Sequence, residues 1–384
     1  MQNISREKTK LLSEYEREML CCTTCGFCRA VCPTFNHFKQ ESANARGKVL
    51  LSYGLLKNEI PITPRMTERL HTCLTCGKCN VKCPSGIDVV EIIKAARAEL
   101  VNKNAGPLPD QKLVDRHIQT EYNPFGKPAA KRLEWTPKAY KTSRNAETVY
   151  FAGCMASYWY PEIAQATLKI FEHLGVKATI LKNERCCGIP PLWDGQINLA
   201  TELAKSNIET FHASNTQLIV TTCAGCYRTL KIDYPKMFGK VDYRVMHITE
   251  FLSEFINENK IKFKGKIEKA ATYHDPCHLG RHMSVYEAPR TIIQNIPGLK
   301  FREMENNKKD AECCGGGAGV FRTAFANLAL TFGKLRVEES KRVGAEVILT
   351  SCPMCMLNLS QAARKAQIKI EVSDPILLLA KTLE

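Results

Sequence analysis

Nineteen cysteines in 384 residues set the chemistry of this chain. Two runs, "CTTCGFCRAVCP" at 22–33 and "CLTCGKCNVKCP" at 73–84, fit C-x2-C-x2-C-x3-C-P without a gap. That spacing wraps a loop around an iron–sulfur cube so that three thiolates reach three irons, while the fourth cysteine serves the neighbouring cluster. One cubane [4Fe-4S] cluster would take Cys22, Cys25, Cys28 and Cys83; a second would take Cys73, Cys76, Cys79 and Cys32. Zinc ribbons also use CxxC pairs, but zinc rarely needs three cysteines at this spacing and a fourth before proline. Such a pair of cubanes moves electrons one at a time and acts as a wire, not a catalyst.

Ten further cysteines form two sets of five. Cys154, Cys186, Cys187, Cys223 and Cys226 read C-x31-CC-x35-C-x2-C; Cys277, Cys313, Cys314, Cys352 and Cys355 read C-x35-CC-x37-C-x2-C. Only Cys21 is left without a role. Adjacent cysteine side chains diverge, and a disulfide between neighbours is strained, so the two thiolates suit different irons of one open assembly. The glycine after each pair would let the backbone approach the metal closely. Five ligands are one more than a cubane uses, so an unusual cluster is expected. Other readings stay open at this point. "CPMC" after a strand is similar to a thioredoxin-type redox pair, which leaves the CC pair and the upstream cysteine unexplained. One cubane per repeat with a spare cysteine is a second reading. "GGGAG" at 315–319 lacks the Lys-Ser/Thr of a P-loop and the Rossmann spacing, and reads as a turn beside metal.

The rest of the composition narrows the class. Hydrophobic residues make up 44% and charged residues 24%, ordinary for a globular protein with a core. No apolar run approaches the ~18 residues a membrane helix needs. The stretch "MQNISREKTKLLSEYEREML" is charged throughout, without the apolar segment of a signal peptide. A cytoplasmic location is therefore expected, with membrane contact only through a partner. Cysteine density in a reducing compartment points to metal rather than to a disulfide framework. The formal charge of +15 is spread along the chain, which argues against nucleic acid.

These cysteines must be positioned by a fold, and the pattern predicts one. The expected class is α+β/α-β multidomain: an N-terminal helical ferredoxin module with two [4Fe-4S] clusters (1–105), a Pro-rich linker (106–146), and two related α/β domains (147–268 and 269–384). The linker carries five prolines, Pro107, Pro109, Pro124, Pro128 and Pro137, and one short helix near 110–121. "SGIDVVEIIKAARAEL" (85–100) would be a helix capped by Ser85 that closes the module. The first twenty residues would cap the module in preference to docking a partner. The two later domains repeat each other: "ETVYFAGC" matches "KAATYHDPC", "NERCCG" matches "DAECCG", and "QLIVTTCAGC" matches "EVILTSCPMC", at offsets of 123, 127 and 129 residues. "PEIAQATLKIFEHLG" (161–175) reads as a helix and "KATIL" (177–181) as a strand; "LIVTTC" and "VILTSC" read as buried parallel strands. Ligands of open α/β sheets gather beyond the carboxyl ends of strands. The cysteines lie there, so five could converge on one site in each repeat, the two repeats facing each other.

The ferredoxin module, the linker and two complete "CCG" domains together resemble the catalytic iron–sulfur subunit of heterodisulfide reductase, the D subunit of the membrane-bound enzyme. The resemblance covers nearly the whole chain. It implies that each five-cysteine set binds a non-cubane [4Fe-4S] cluster, giving two cubane and two non-cubane clusters. It implies reduction of the mixed disulfide of coenzyme M and coenzyme B (CoM-S-S-CoB), a strongly anionic substrate that the basic surplus suits. It implies a membrane cytochrome b subunit, or another electron-donating subunit, as partner, and no direct membrane span. Arg185, Arg281 and Arg322 lie near cysteines and could meet the anionic groups; His274, His278 and His282 in "YHDPCHLGRH" are candidate proton donors by their nearness to Cys277. Related subunits with the same layout relay electrons for flavin-dependent 2-hydroxyacid or glycerol-3-phosphate dehydrogenases, and many have lost ligands from one CCG motif. Retention of all ten here favours the reductase. No flavin or nicotinamide fingerprint occurs, so either reading requires a partner.

Overall fold

In a computed structural model, the described residues are 11–140, 142–143 and 146–383. Up to residue 140 the described chain is helical, and each cysteine run bends around a left-handed glycine. Gly26 (φ 85°) and Gly77 (φ 71°) open the short helices Phe27–Ala30 and Lys78–Lys82 inside the two runs. Those helices pack side by side, so the runs face each other. The closing helix is Val89–Asn102, and its cap differs from expectation. Asp88, not Ser85, accepts the Glu91 N–H, at 3.2 Å. Gly86, at φ 69°, turns the chain between Pro84 and the helix, and leaves Ser85 outside it. Asp88 also places a carboxylate at the positive end of the helix dipole. Of the N-terminal stretch expected to cap the module, residues 1–10 lie outside the described residues. Leu12, Tyr15 and Met19 are buried in the module's own core with Ile92, Ile93 and Leu100.

The proline-rich segment holds the helix Pro109–Glu121, which starts with proline where no N–H is needed. It does not run free between domains. Gln111 Nε2 donates to Val320 O at 3.1 Å, tying the helix to the second repeat.

Each repeat is a four-stranded parallel sheet. In the first, β1 (Thr148–Phe151), β2 (Ala178–Ile180), β3 (Leu218–Thr221) and β4 (Arg244–His247) run in the order β2-β1-β3-β4. In the second, β5 (Ala270–Tyr273), β6 (Lys300–Phe301), β7 (Val347–Leu349) and β8 (Glu371–Ser373) run β6-β5-β7-β8. Register is matched: Tyr150 lies opposite Val220, and Tyr273 opposite Leu349. The central strands are apolar along their length because helices cover both faces. One apolar cluster joins Tyr150, Phe171 and Phe251 of the first repeat to Tyr273, Ile292 and Ile376 of the second. The repeats therefore pack as one body.

The module is fixed to both repeats. Lys78 pairs with Glu312 at 2.5 Å and Lys82 with Asp310 at 2.7 Å; Arg281 Nε donates to Cys76 O at 2.7 Å. On the other side, Glu91 and Lys94 of the closing helix meet Arg228 and Asp233 in a buried network, with Arg228–Glu91 at 2.8 Å. A buried network of this kind adds little net stability but penalises every misregistered docking.

Candidate active site

Each cysteine of the two repeats follows the carboxyl end of a strand or starts the helix after it. Cys154 sits in the helix Gly153–Tyr158 after β1, and Cys186 and Cys187 follow β2. Cys223 is the cap residue of Ala224–Arg228 after β3, and Cys226 lies in its first turn. Cys352 and Cys355 hold the same places on Pro353–Lys365 after β7. A C-x2-C at a helix N-terminus puts both sulfurs among unpaired N–H groups, which favours thiolate.

The two sets meet. The side chains of Cys223 and Cys352, one from each repeat, face each other closely enough to interact. A cavity of about 300 Å³ opens between the repeats, lined by every cysteine of the two sets except Cys313. Its other walls are apolar (Met155, Trp159, Ile189, Met354, Leu357), with Gln111, Asp194, His278, Arg322 and Gln361 as polar groups. Val114 and Phe125, from the proline-rich segment, close one side.

None of the nineteen cysteines forms a disulfide, and sulfurs of each repeat lie close together. Cys314 Sγ lies 3.2 Å from Cys355 Sγ. A hydrogen bond from Cys186 holds the Cys187 thiol down at about 6. Cys226 does the same for Cys223, and Cys313 for Cys314, each held well below the usual thiol range. Their partners Cys226 and Cys355 are pushed up, chiefly by donating to Cys187 and Cys314. Each repeat thus already holds thiolate character, the form that binds metal.

The glycine of each CCG motif answers a steric demand of the backbone. Gly188 and Gly315 are left-handed (φ 86° and 92°), and a Cβ on Gly315 would stand 2.2 Å from Ala329 O. Both serve a turn pressed against a helix further on, and the Gly315 N–H donates to Cys313 Sγ at 3.4 Å. The glycine closest to sulfur is Gly153, where a Cβ would lie 2.9 Å from Cys226 Sγ.

The N-terminal cysteines also gather in two groups. Cys22, Cys25, Cys28 and Cys83 line one hollow with Arg46. Cys73, Cys76 and Cys32 share an electrostatic environment with Cys79, whose thiol is pushed up by burial and by these sulfurs. The second group abuts the second repeat: a hydrogen bond from Cys313 holds Cys76 down at about 6. Cys21 is exposed.

The expected basic and acid residues separate. Arg322 lines the cavity and donates to Asn358 Oδ1 at 2.6 Å. Arg281 is committed to the carbonyls of Cys76 and Ala311 at the module interface, and Arg185 lies 3.9 Å over the Tyr122 ring. Of the histidines, only His278 lines the cavity; its ring packs on Trp193 at 4.6 Å, and burial pushes its pKa to about 3. His274 accepts from Arg336 Nε at 3.1 Å and faces Cys314. His282 Nε2 lies 2.9 Å from Thr75 O, bridging to the module.

Three site residues escaped the sequence reading. Arg132 donates to Glu184 Oε1 at 2.8 Å and to Cys154 Sγ at 3.4 Å, while Glu184 accepts the N–H groups of Ala152 and Gly153 at 3.0 Å. This buried pair sets the loop that carries Cys154. Asp194 enters the cavity from the end of the helix Ile189–Asp194. The glutamate stands two residues before the CC pair in "NERCCG", where the second repeat has Ala311, so none of the three carries a clear local signal.

A helical two-run cysteine module docked on two facing five-cysteine sheets defines an iron–sulfur oxidoreductase subunit. Family models agree: a 4Fe-4S dicluster domain matches residues 18–87, and a cysteine-rich domain matches 148–231 and 271–360. The chain is 38% identical to the D subunit of the dihydromethanophenazine:CoB–CoM heterodisulfide reductase of Methanosarcina acetivorans, over 95% of this chain and 94% of that one. It belongs to the family of heterodisulfide reductase D subunits. It is also 31% identical to the B subunit of the CoM/CoB fumarate reductase of Methanothermobacter marburgensis, over 90% of this chain and 68% of that one. A more distant relative is the EtfAB:quinone oxidoreductase of Syntrophomonas wolfei, 26% identical over 94% of this chain and 58% of that one.

Proposed function

We propose that this chain reduces the coenzyme M–coenzyme B heterodisulfide in the cavity between its two repeats. The observation that carries the reading is that both five-cysteine sets are complete and open onto one cavity, with Cys223 against Cys352. A relay needs clusters in series; splitting an S–S bond needs two electron sources on one substrate.

The donor sets fit the implied clusters. Cys22, Cys25, Cys28 and Cys83 would hold one cubane [4Fe-4S] cluster, and Cys73, Cys76, Cys79 and Cys32 the other. Cys154, Cys186, Cys187, Cys223 and Cys226 would hold one non-cubane cluster, and Cys277, Cys313, Cys314, Cys352 and Cys355 the second. The missing side chain at Gly153, where a Cβ would lie 2.9 Å from Cys226 Sγ, leaves room beside that sulfur. When bound, the clusters supply electrons singly.

The chain's own residues do the rest. Cys76 of the module is hydrogen-bonded to Cys313 of the second five-cysteine set, so electrons would enter at the second repeat. Met155, Ile189 and Met354 give the cavity apolar walls that would limit water around the disulfide. Arg322 would meet an anionic group at the cavity wall. Lys78–Glu312 and Arg281 hold the module against the second repeat at this crossing.

No helix among the described residues is long and apolar enough to cross a membrane. We place the chain in the cytoplasm, receiving electrons from a partner such as a membrane cytochrome b. The test is turnover of the heterodisulfide by anaerobically purified, cluster-loaded protein with reduced viologen. Turnover at about sixteen irons, four clusters of four, supports the reading. No turnover at full iron loading refutes it and favours an electron-relay role beside a flavin-dependent dehydrogenase.

A further inference from the structure

The reduction consumes two protons as well as two electrons, and the cavity contains one unassigned acid. Asp194 is the sole carboxyl among the described residues lining it. Behind it stands Asp115, on the helix Pro109–Glu121, which packs against the helix Ile189–Asp194. Both are buried, at 3% exposure for Asp115 and 1% for Asp194, and their carboxyl groups face each other. Neither forms an ion pair among the described residues. Asp115 faces the Asp194 carboxyl and the Gln196 side-chain amide, and Asp194 Oδ1 accepts the Gln196 N–H at 3.3 Å.

Two buried carboxyls that face each other resist ionising together, so the pair favours one charge and one shared proton. The surroundings leave one charge and one proton. Arg97, from Val89–Asn102, is the cation facing the pair, but its N–H groups are engaged by the carbonyls of Leu70, His71, Cys73 and Trp193. Arg322, on the helix packed against Pro109–Glu121, is engaged by Asn358 and Gln361. Lys205 and Glu209, on Ile197–Ala213, pair with each other at the surface. Burial pushes Asp115 up to about 7 and Asp194 well above the usual carboxylate range.

We propose that Asp194, sharing a proton with Asp115, is the acid that protonates a thiolate formed in the cavity. The proposal rests on the disulfide-reduction reading. One-electron iron–sulfur donors supply two electrons, and the S–S bond breaks to give two thiolates. The Asp194 O–H bond then breaks as an S–H bond forms on one of them. Asp194 is left as carboxylate beside Asp115, and water returns the proton. The second thiolate takes its proton from solvent.

The test uses the cluster-loaded chain and its Asp194→Asn, Asp194→Glu and Asp115→Asn variants. The wild-type-minus-D194N infrared difference spectrum should show the C=O stretch of an un-ionised carboxylic acid at neutral pH, and D115N should shift that band. Viologen-driven turnover should fall about 10²–10⁴-fold in D194N, with iron content and cluster spectra unchanged, and D194E should recover part of it. Wild-type rate should drop as pH rises through the pair's titration. D115N, which removes the like charge, should move that drop to lower pH. An absent carboxylic band in that difference spectrum, or a D194N variant with wild-type rate and pH profile, overturns the proposal alone. No wild-type turnover at full iron loading overturns the disulfide-reduction reading and the donor role with it, while the infrared band still reports the shared proton separately.

Discussion

Arg132 offers the sharpest test of how the first cysteine set is built. Replacing it with leucine keeps much of the side-chain volume and removes three contacts: Glu184 at 2.8 Å, Tyr122 O at 3.0 Å and Cys154 Sγ at 3.4 Å. Both members of the pair are almost fully buried, at 4% and 3% side-chain exposure. Losing one partner of a buried pair costs about 3–5 kcal/mol, because the other charge stays buried and uncompensated. Burial already pushes the Glu184 carboxyl up, against the pull of Arg132, so removing the arginine would push it up further and favour the protonated form. Its hold on the Ala152 and Gly153 N–H groups would then weaken, and Cys154 would lose its place. Arg132→Leu should therefore lower the denaturation midpoint and lose iron from one five-cysteine set while both cubanes remain. Replacing the pair together, Arg132→Leu with Glu184→Leu, should recover part of the stability. The assay is denaturant unfolding alongside iron content and cluster spectroscopy. A single variant within about 1 kcal/mol of wild type, or a double variant no better than the single, would refute the reasoning.

Further outcomes follow from other positions. Gly315→Ala should abolish iron loading of the second repeat, because its Cβ would press to 2.2 Å from Ala329 O at positive φ. Gly86→Ala, also at positive φ but with nothing within 4 Å, should cost only about 1–2 kcal/mol and leave iron unchanged. Cys32→Ala should remove the cluster shared with Cys73, Cys76 and Cys79 and spare the other cubane, as iron counting and spectroscopy would report. Asp374 is pushed up to about 7 by burial, above its value of 3.8 in the unfolded chain. Its contribution to stability is therefore full below about pH 4 and is lost as pH rises through about 7. Asp374→Asn keeps the acceptor for the Ile376 N–H and should be more stable than wild type at alkaline pH, by on the order of a few kcal/mol in denaturant titrations.

The metal-binding character of this protein is written in local spacing. A loop around a cube has a short reach, so C-x2-C-x2-C-x3-C can be recognised without knowing the fold. The strands were legible for a similar reason: "LIVT" and "VIL" are apolar nearly throughout because both sheet faces are covered. The repeat was visible because the same positions recur after the same strands. Helix boundaries were less secure. Ser85 and Asp88 both suit a cap, and the left-handed turn at Gly86 selected between them. The CCG glycine was legible as a glycine requirement, but its cause, Ala329 O at the back of the turn, lies on a helix more than ten residues further on.

Tertiary structure alone decided which residues meet. Cys223 and Cys352 are 129 residues apart, and no local rule brings them together. Their meeting depends on the shared core that presses the two sheets together. The same packing turned a proline-rich connector into a cavity wall and set Asp115 of that connector against Asp194 of the first repeat. It placed Arg132 under Cys154, sent Arg281 and His282 to the module interface, and kept Arg322 and His278 at the cavity. Sequence spacing limits what a loop can ligate, because a few bonds set how far its side chains can reach. What shares a buried cavity depends on long-range burial of apolar surface, which many sequences satisfy and only the packed chain resolves.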